Sequence, residues 1–185
     1  MTIDLNDTTF VCIDIQPREP SSRVWTWENR HPEWKESGFT PDELNAAERH
    51  FHDVMLPNAL KVAALAKEHG LPRVFVHWDS GSVHHAFDLQ ADDHVISKTE
   101  MDAFISSNIG DVLSDIGRTT LLMIGGHTQG CLGRTATSAI EAGYRCICVR
   151  DATYDCSILR WPKGIAAVDY DAVIDAEELI GSFDD

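Results

Sequence analysis

The amino-acid sequence predicts a single α/β domain, a Rossmann-type three-layer α/β/α sandwich around a mostly parallel sheet of five or six strands. Short apolar runs alternate with longer stretches of helical periodicity, which is the pattern of strands joined by crossover helices. The runs lack the polar alternation of half-exposed strands, so we expect them to be buried on both faces. The 185 residues fit one domain spanning residues 1–185.

The strands are predicted from apolar runs bounded by Gly, Pro or Asp. They are Thr9 to Asp14, Arg73 to His77, Thr119 to Ile124, Arg145 to Val149 and, at the edge of the sheet, Asp171 to Ile174. Lys98 lies in a polar stretch between the second and third of these strands, where the sequence predicts a loop.

The helices have recognisable ends. Thr40 followed by Pro41 and Glu43 predicts a capping box, and the helix continues to about His69 with a kink at Pro57. Three further helices are predicted at Met101 to Ile116, Cys131 to Ala142 and Ala176 to Ile180. The tryptophan-rich segment 17–39 contains too much Pro, Arg and Glu for a core strand, and a flap or a subunit contact is the expectation there.

The charge balance excludes several classes of partner. The chain has 15 Lys and Arg against 30 Asp and Glu, a net charge of −15, and such a field repels nucleic acids and anionic lipid surfaces. No apolar run approaches the roughly 20 residues of a membrane span. The first residues lack the basic start and apolar core of a signal peptide, so we expect a cytoplasmic protein that binds neither nucleic acid nor membrane.

One of the five cysteines lies in a context that favours reactivity. Cys12, Cys146 and Cys148 lie inside apolar runs and are expected to be small buried hydrophobes. Cys131 instead follows the loop Gly125 to Gly130 and opens a helix. Free N–H groups and the helix dipole at that position favour a thiolate and suit the oxyanion of a tetrahedral intermediate, although a buried structural cysteine fits the same pattern.

Asp14 and Lys98 are candidate partners for this thiol. Asp14 ends the first predicted strand, and the carboxyl ends of parallel strands are where ligands bind in such sheets. A cysteine nucleophile needs a base that takes its proton and returns it to the leaving amine, which Asp14 can do if Lys98 keeps it ionised. When each residue is considered alone, Asp14 could instead cap a loop and Lys98 could instead be a solvated surface residue, and both alternatives remain open.

Three sequence segments resemble the isochorismatase-like cysteine hydrolases. They are Asp14-Ile15-Gln16, Lys98 with the following Met101 to Phe104, and the block Gly125 through Ala152. The block matches the Gly-x-x-Thr-x-x-Cys nucleophile loop of that family together with its helix and next strand. The family includes nicotinamidases, N-carbamoylsarcosine amidases, biuret hydrolases and ureidoacrylate amidohydrolases.

The resemblance implies hydrolysis of a C–N bond through a thioester, with Asp14, Lys98 and Cys131 as the catalytic triad. It implies a cis peptide bond between Gly126 and His127, and an oxyanion hole formed by the backbone N–H groups of His127 and Cys131. The substrate would be a small amide, carbamoyl or ureido compound. No cofactor is implied, and a homodimer or homotetramer is expected. The candidate substrate-pocket residues are Gln16, Trp78 and Thr128.

The sequence departs from the metal-binding members of the family. Nicotinamidases hold a metal through an Asp-x-His motif after the second strand, whereas Asp79-Ser80-Gly81 has glycine at the histidine position. We therefore predict no metal in this site. His84 and His85 follow shortly, and whether they or Asp79 bind a metal is not decided by the sequence.

Two other functions compete with hydrolysis. A non-catalytic relative that keeps the isochorismatase fold and binds a ligand or a protein would account for the unusual segment 17–39, but not for a complete triad. A haloacid-dehalogenase-like phosphatase also uses an Asp at the end of strand one. It needs a second Asp two residues later, where this chain has Gln16.

Overall fold

The computed structural model describes residues 3–17 and 40–183 of the chain, and segment 18–39 lies outside the described residues. Its sheet has six strands, all parallel, in the order β3-β2-β1-β4-β5-β6. The strands are β1 (Thr8–Ile13), β2 (Arg73–Trp78), β3 (His94–Lys98), β4 (Thr120–Gly126), β5 (Arg145–Tyr154) and β6 (Ala172–Ile174). The predicted fold class is confirmed.

Crossover connections join the parallel strands, and all of them except the β2–β3 connection, residues 79–93, contain helices. The helices are α1 (Pro41–His50), α2 (Leu56–Glu68), α3 (Ala103–Ser106), α4 (Ile109–Ile116), α5 (Cys131–Glu141), α6 (Trp161–Ala166) and α7 (Ala176–Gly181). A 3₁₀ turn at Leu5–Asp7 precedes β1, and a π-helical turn at Phe51–Met55 joins α1 to α2. Among the described residues, no helix combines the length and the apolar character that crossing a membrane requires.

The core has two layers, one on each face of the sheet. Alternate residues of β1 point to opposite faces, so that Phe10 and Cys12 belong to one buried cluster while Val11 and Ile13 belong to the other. The first cluster includes apolar residues of α2 and α7, and the second those of α4 and α5. Burial on both faces explains why the central strands are continuous apolar runs.

The predicted helix ends are largely confirmed. Thr40 caps α1, its side chain accepting from the Glu43 N–H while the Glu43 carboxylate accepts from the Thr40 N–H at 2.8 Å. The interruption expected at Pro57 takes another form. The π-helical turn lies just before α2, and Pro57 occupies the first turn of that helix, where its missing N–H costs nothing.

Two predictions of secondary structure were wrong. Lys98 does not lie in a loop but ends β3, an edge strand in which only Ile96 and Lys98 are buried. Such a strand has no apolar run that would reveal it. The helix predicted over residues 101–116 is divided into α3 and α4, because Ser107 between them is extended and its hydroxyl accepts from the Ile109 N–H at 3.2 Å.

The order of the strands creates a crevice above β1. The chain leaves β1 to build β2 and β3 on one side, and β4, β5 and β6 on the other, so β1 and β4 meet where the direction of winding changes. Gly125 of β4 has a φ of 112°, and a Cβ there would lie 2.0 Å from the Ile13 carbonyl oxygen. Glycine therefore lets the two strands stay adjacent at their carboxyl ends, where ligands bind in this architecture.

A buried ion pair fixes the start of β3 against β2. Arg73 Nε donates to Asp93 Oδ1 at 2.8 Å and Arg73 Nη2 donates to Asp93 Oδ2 at 2.5 Å, with side chains only 4% and 3% exposed. The same guanidinium donates to the carbonyls of Ala63 and Asp88. Because Asp93 immediately precedes β3, this pair helps to place the strand that carries Lys98.

We predict that Arg73→Met lowers the free energy of unfolding by about 3–5 kcal/mol, because it leaves the buried Asp93 carboxylate without its cationic partner and with only the Gln90 N–H donating to it. Arg150→Met is the matched control. Arg150 also forms a two-armed pair, with Asp175, but the side chains are 50% and 41% exposed, and its loss should cost at most about 1 kcal/mol. Urea denaturation of both variants tests this, and equal losses would contradict the assignment.

Candidate active site

Asp14 follows β1 directly and has an unusual backbone conformation. Its φ of 53° lies in the left-handed region, where non-glycine residues are uncommon. The Asp14 N–H donates to the Val76 carbonyl at 2.8 Å, and the Tyr154 hydroxyl donates to the Asp14 carbonyl at 2.7 Å. These two contacts hold the turn that brings the Asp14 carboxylate to the carboxyl edge of the sheet.

Lys98 reaches this carboxylate from the end of β3, across β2. Its Nζ lies 2.8 Å from Asp14 Oδ2, and the two side chains are 0% and 8% exposed. Lys98 Nζ also donates to the Glu100 carbonyl at 3.1 Å and stands 4.0 Å from the centre of the Trp78 ring. The carbonyl oxygen and the face of the ring both attract the positive end of this buried side chain.

The Asp14 carboxylate has few competing hydrogen-bond donors. No hydroxyl, amide or backbone N–H of the described residues donates to either of its oxygens. Its polar neighbours are the Lys98 ammonium and the Cys131 thiol. Lone pairs of this carboxylate therefore remain available to take a proton from the thiol.

Cys131 is the first residue of α5, and its thiol is protonated at neutral pH. Burial, followed by the charge and hydrogen bonding of Asp14, raises the pKa of Cys131 to about 11, while Lys98 acts in the opposite direction. The thiolate expected from the helix dipole is thus a wrong expectation for the resting protein. That expectation considered the α5 N-terminus alone, whereas the thiol is desolvated and lies beside a carboxylate.

The loop before Cys131 is fixed by residues at the end of β5. The peptide bond between Gly126 and His127 is cis. The Thr128 N–H donates to the Tyr154 carbonyl at 3.0 Å, and the Gln129 N–H donates to Asp155 Oδ2 at 2.9 Å. These hydrogen bonds to the end of β5 therefore hold the backbone of the loop where it leads into α5.

Thr128 does not line the cavity beside Cys131, although the sequence suggested it as a pocket residue. Its side chain is buried behind the loop, with Oγ1 2.8 Å from Asp155 Oδ2 and 3.1 Å from the Trp161 carbonyl oxygen. A Cβ on Gly133 would lie 2.2 Å from the Thr128 carbonyl oxygen, so this glycine allows α5 to pack directly on the loop. The Thr128 side chain therefore points toward Asp155 and Trp161, in the packed interior, and not into the cavity.

A cavity of about 240 Å³ opens at the carboxyl edge of the sheet. Its described lining residues are Asp14, Gln16, Pro17, Trp78, Gly126, His127, Cys131 and Tyr154. Gln16 and Trp78, both predicted as pocket residues, thus lie in its wall. The side-chain oxygen Oε1 of Gln16 accepts from the Trp78 backbone N–H at 3.1 Å. This contact turns the side-chain nitrogen Nε2 of Gln16 toward Gly81.

The residues that follow β2 do not form a metal site in the part of the chain that the structure describes. Asp79, His84 and His85 do not converge as three ligands there. The rings of His84 and His85 stack with centroids 4.6 Å apart, and His84 Nδ1 accepts from the Ala86 N–H. A Cβ at Gly81 would meet Gln16 Nε2 at 1.9 Å, so Gln16 occupies the space beside the position where metal-binding relatives place a histidine.

Tyr154 and Asp155 are site residues that sequence reasoning missed. Tyr154 contacts both halves of the site, through its hydroxyl to Asp14 and through its ring to His127, with centroids 5.0 Å apart. Asp155 accepts from Thr128 and Gln129 of the nucleophile loop. The only signal for them was their place shortly after a predicted strand, which was expected to stop at Val149.

The family model for the isochorismatase domain matches residues 34–178. Streptothricin hydrolase from Streptomyces noursei is 38% identical over 65 residues, which are 34% of this chain and 26% of that protein. Maleamate amidohydrolase from Pseudomonas putida is 33% identical over 66 residues, 36% of this chain and 31% of that protein. The matched region thus spans about a quarter to a third of these relatives.

Solved structures share the fold over nearly the whole chain. N-carbamoylsarcosine amidase from Thermoplasma acidophilum has a TM-score of 0.65 at 21% identity, covering 92% of this chain and 97% of that one. An isochorismatase-like hydrolase from Alkaliphilus metalliredigens has a TM-score of 0.71 at 15% identity, covering 96% and 99%. The YcaC gene product of Escherichia coli, an octameric hydrolase of unknown specificity, has a TM-score of 0.62 at 18% identity, covering 94% and 78%.

The family model spans most of the chain, from before α1 to within α7, and it includes Lys98 and Cys131. The α/β fold with its single parallel sheet is shared with the solved structures. On these grounds the chain belongs to the isochorismatase family.

Proposed function

We propose that this protein hydrolyses the C–N bond of a small amide, carbamoyl or ureido compound, with Cys131 as nucleophile. The observation that carries the proposal is that Asp14 and the Cys131 thiol line one cavity, with Lys98 buried behind them and paired with Asp14. The names of three similar proteins support the reaction class: streptothricin hydrolase, maleamate amidohydrolase and N-carbamoylsarcosine amidase.

In the first half of the proposed reaction, ionised Asp14 takes the proton of the Cys131 thiol as sulfur attacks the substrate carbonyl carbon. The backbone N–H groups of His127 and Cys131 hold the resulting oxyanion. Protonated Asp14 then gives its proton to the leaving nitrogen, the C–N bond breaks, and ammonia or an amine departs. A thioester between the acyl group and Cys131 remains.

In the second half, water attacks the thioester while Asp14 accepts one of its protons. The carbon–sulfur bond breaks, the carboxylic or carbamic acid leaves, and the proton returns to the Cys131 sulfur. Lys98 keeps Asp14 ionised at the start of each half-reaction and balances the negative charge that moves between carboxylate and sulfur. The sum is one amide bond and one water converted to an acid and an amine.

The cavity favours a small substrate. Its volume of about 240 Å³ lies below the roughly 300–1,000 Å³ that is usual for pockets of drug-sized ligands. Trp78 supplies an apolar wall, and Gln16 supplies an amide near the catalytic carboxylate. We propose that these two residues contact the part of the substrate that does not react.

The remaining properties are proposals of the same kind. The five free cysteines, which are usual in a reducing compartment, support our proposal of a cytoplasmic protein. The octameric assembly of the YcaC gene product supports self-association, for which we propose a homodimer or homotetramer. Light scattering of the purified chain measures that state directly.

We predict that Cys131→Ala abolishes ammonia release, with a loss of at least about 1,000-fold, because no other residue supplies the nucleophile. Asp14→Asn should cost about 100- to 10,000-fold, the usual contribution of general acid–base catalysis. The assay is ammonia release from maleamate, N-carbamoylsarcosine, biuret and nicotinamide.

Cys148→Ala and Asp115→Asn are the controls for this experiment. Cys148 is a buried cysteine of β5, and Asp115 is an exposed acid of α4, and neither lines the cavity. Both should retain turnover. Activity that survives in Cys131→Ala would refute the thioester mechanism, and silence of the unmodified protein on every substrate would favour the non-catalytic binding protein.

The pH dependence of Cys131 alkylation gives a second prediction. Because the thiolate is the reactive form, labelling by iodoacetamide should rise about tenfold per pH unit until the pH nears the pKa of Cys131. Asp14→Asn removes a charge that raises this pKa, so its titration midpoint should fall while turnover is lost. Mass spectrometry of labelled Cys131 between pH 7 and pH 11 measures both midpoints, and an unchanged midpoint would contradict the contact.

We predict that Tyr154→Phe lowers kcat more than it changes KM. It removes only the hydroxyl that donates to the Asp14 carbonyl, and a small misplacement of a reacting group can cost about 100-fold in rate. Tyr144→Phe, at the opposite end of β5, is the control and should leave both constants unchanged. A purely structural role would instead lower the unfolding temperature of Tyr154→Phe with kcat of the folded enzyme intact.

A further inference from the structure

A second cluster of chemically reactive side chains lies beside the proposed catalytic centre. It consists of the His127 ring, the Asp155 carboxylate and the Cys156 thiol, and one ligand atom of each lies within 4.8 Å of the other two. Only His127 also lines the catalytic cavity. In the proposed reaction neither Asp155 nor Cys156 touches the substrate, so these two side chains take no part in its bond-making and bond-breaking steps.

The Asp155 carboxylate is oriented as a preformed ligand. Its Oδ2 accepts from Thr128 Oγ1 at 2.8 Å and from the Gln129 N–H at 2.9 Å, and its Oδ1 accepts from the Cys156 N–H at 2.7 Å. Burial favours the neutral acid, but the Gln129 N–H and further hydrogen bonds hold the pKa of Asp155 below its ordinary value. Hydrogen bonds of this kind fix ligand carboxylates around metal ions.

The Cys156 thiol points at the same carboxylate. Its Sγ lies 3.2 Å from Asp155 Oδ1, in hydrogen-bond contact. A sulfur and an oxygen on one tetrahedral zinc ion, bound at about 2.3 Å and about 2.0 Å, are about 3.5 Å apart. A zinc ion can therefore replace the thiol proton with little movement of these two residues, and the His127 ring is the third ligand within reach.

We propose that His127, Asp155 and Cys156 form a binding site for Zn²⁺ next to the catalytic cavity. The ion displaces the proton of the Cys156 thiol, which passes to solvent, and two anionic ligands then neutralise its charge. Imidazole, thiolate and carboxylate together are a ligand set of zinc, whereas Mg²⁺ and Ca²⁺ require oxygen ligands. Three protein ligands leave the fourth tetrahedral position for water.

Occupation of this site should inhibit turnover. His127 belongs to the loop whose backbone is proposed to hold the oxyanion, and a metal on its ring would fix that loop in one position. This consequence rests on the proposed function, whereas the binding itself does not. The two are therefore measured separately.

The binding experiment uses the reduced, chelator-treated protein and Zn²⁺ in competition with a chromophoric chelator. We expect one equivalent of Zn²⁺ in the unmodified chain and an affinity at least tenfold lower in Cys156→Ser, since even loss of an outer partner costs about 10–100-fold. Cys131→Ala should bind like the unmodified chain. Circular dichroism verifies that each variant is folded.

Co²⁺ provides a readout that does not depend on affinity. Bound to the site, it should show a thiolate-to-cobalt charge-transfer band that persists in Cys131→Ala and disappears in Cys156→Ser. Loss of the band in Cys131→Ala alone would place the metal on the nucleophile and overturn the proposal. Equal Zn²⁺ affinity in Cys156→Ser, or the lack of a stoichiometric site in the unmodified chain, would also overturn it.

Discussion

The buried ion pair between Asp14 and Lys98 is the contact on which the site depends. It joins the ends of β1 and β3 across β2, at 2.8 Å and almost without solvent. A single charge in that position would cost several kcal/mol, so each residue is tolerable only because the other is present. The same two charges act in opposite directions on the pKa of Cys131. The three groups therefore form one electrostatic unit, in which the Cys131 thiol lies next to a carboxylate that can accept its proton.

The end of β5 holds the backbone of the site in place, as the ion pair holds its side chains. Tyr154 contacts the Asp14 turn and the nucleophile loop, and the neighbouring Asp155 accepts hydrogen bonds from that loop. Two consecutive residues thus link the base and the nucleophile, which come from different strands. The register of β4 and β5 shifts between Met123 and Gly125, and beyond the shift Gly126 pairs with Tyr154. Because of that shift, Tyr154 rather than Asp151 lies beside Gly126.

The sequence alone was sufficient to select candidate residues that follow the buried strands. Asp14 and Cys131 were predicted as partners because buried parallel strands are recognisable as apolar runs, and the carboxyl ends of such strands lie at the same edge of the sheet. Lys98 was predicted as a partner but placed in a loop, since an edge strand that buries only alternate residues has no continuous apolar run. Tyr154 and Asp155 were missed because β5 continues past the polar Arg150 and Asp151. The pKa of Cys131 was misjudged, because it is raised by burial and by the Asp14 carboxylate. Asp14 is close to Cys131 in the fold but far from it in the sequence, so no local sequence pattern reveals the contact.

The all-parallel strand order has a consequence for when the site is assembled during synthesis. β1 is made first, yet both of its neighbours, β2 and β4, are made later, and Asp14, Lys98 and Cys131 lie at or beyond the ends of three different strands. Long-range parallel pairing is slow to form. A partly synthesised chain therefore carries Asp14 without the strands that orient it. The site is complete only when β4 and the end of β5 have docked beside β1, so that its assembly belongs to a late stage of folding rather than the first.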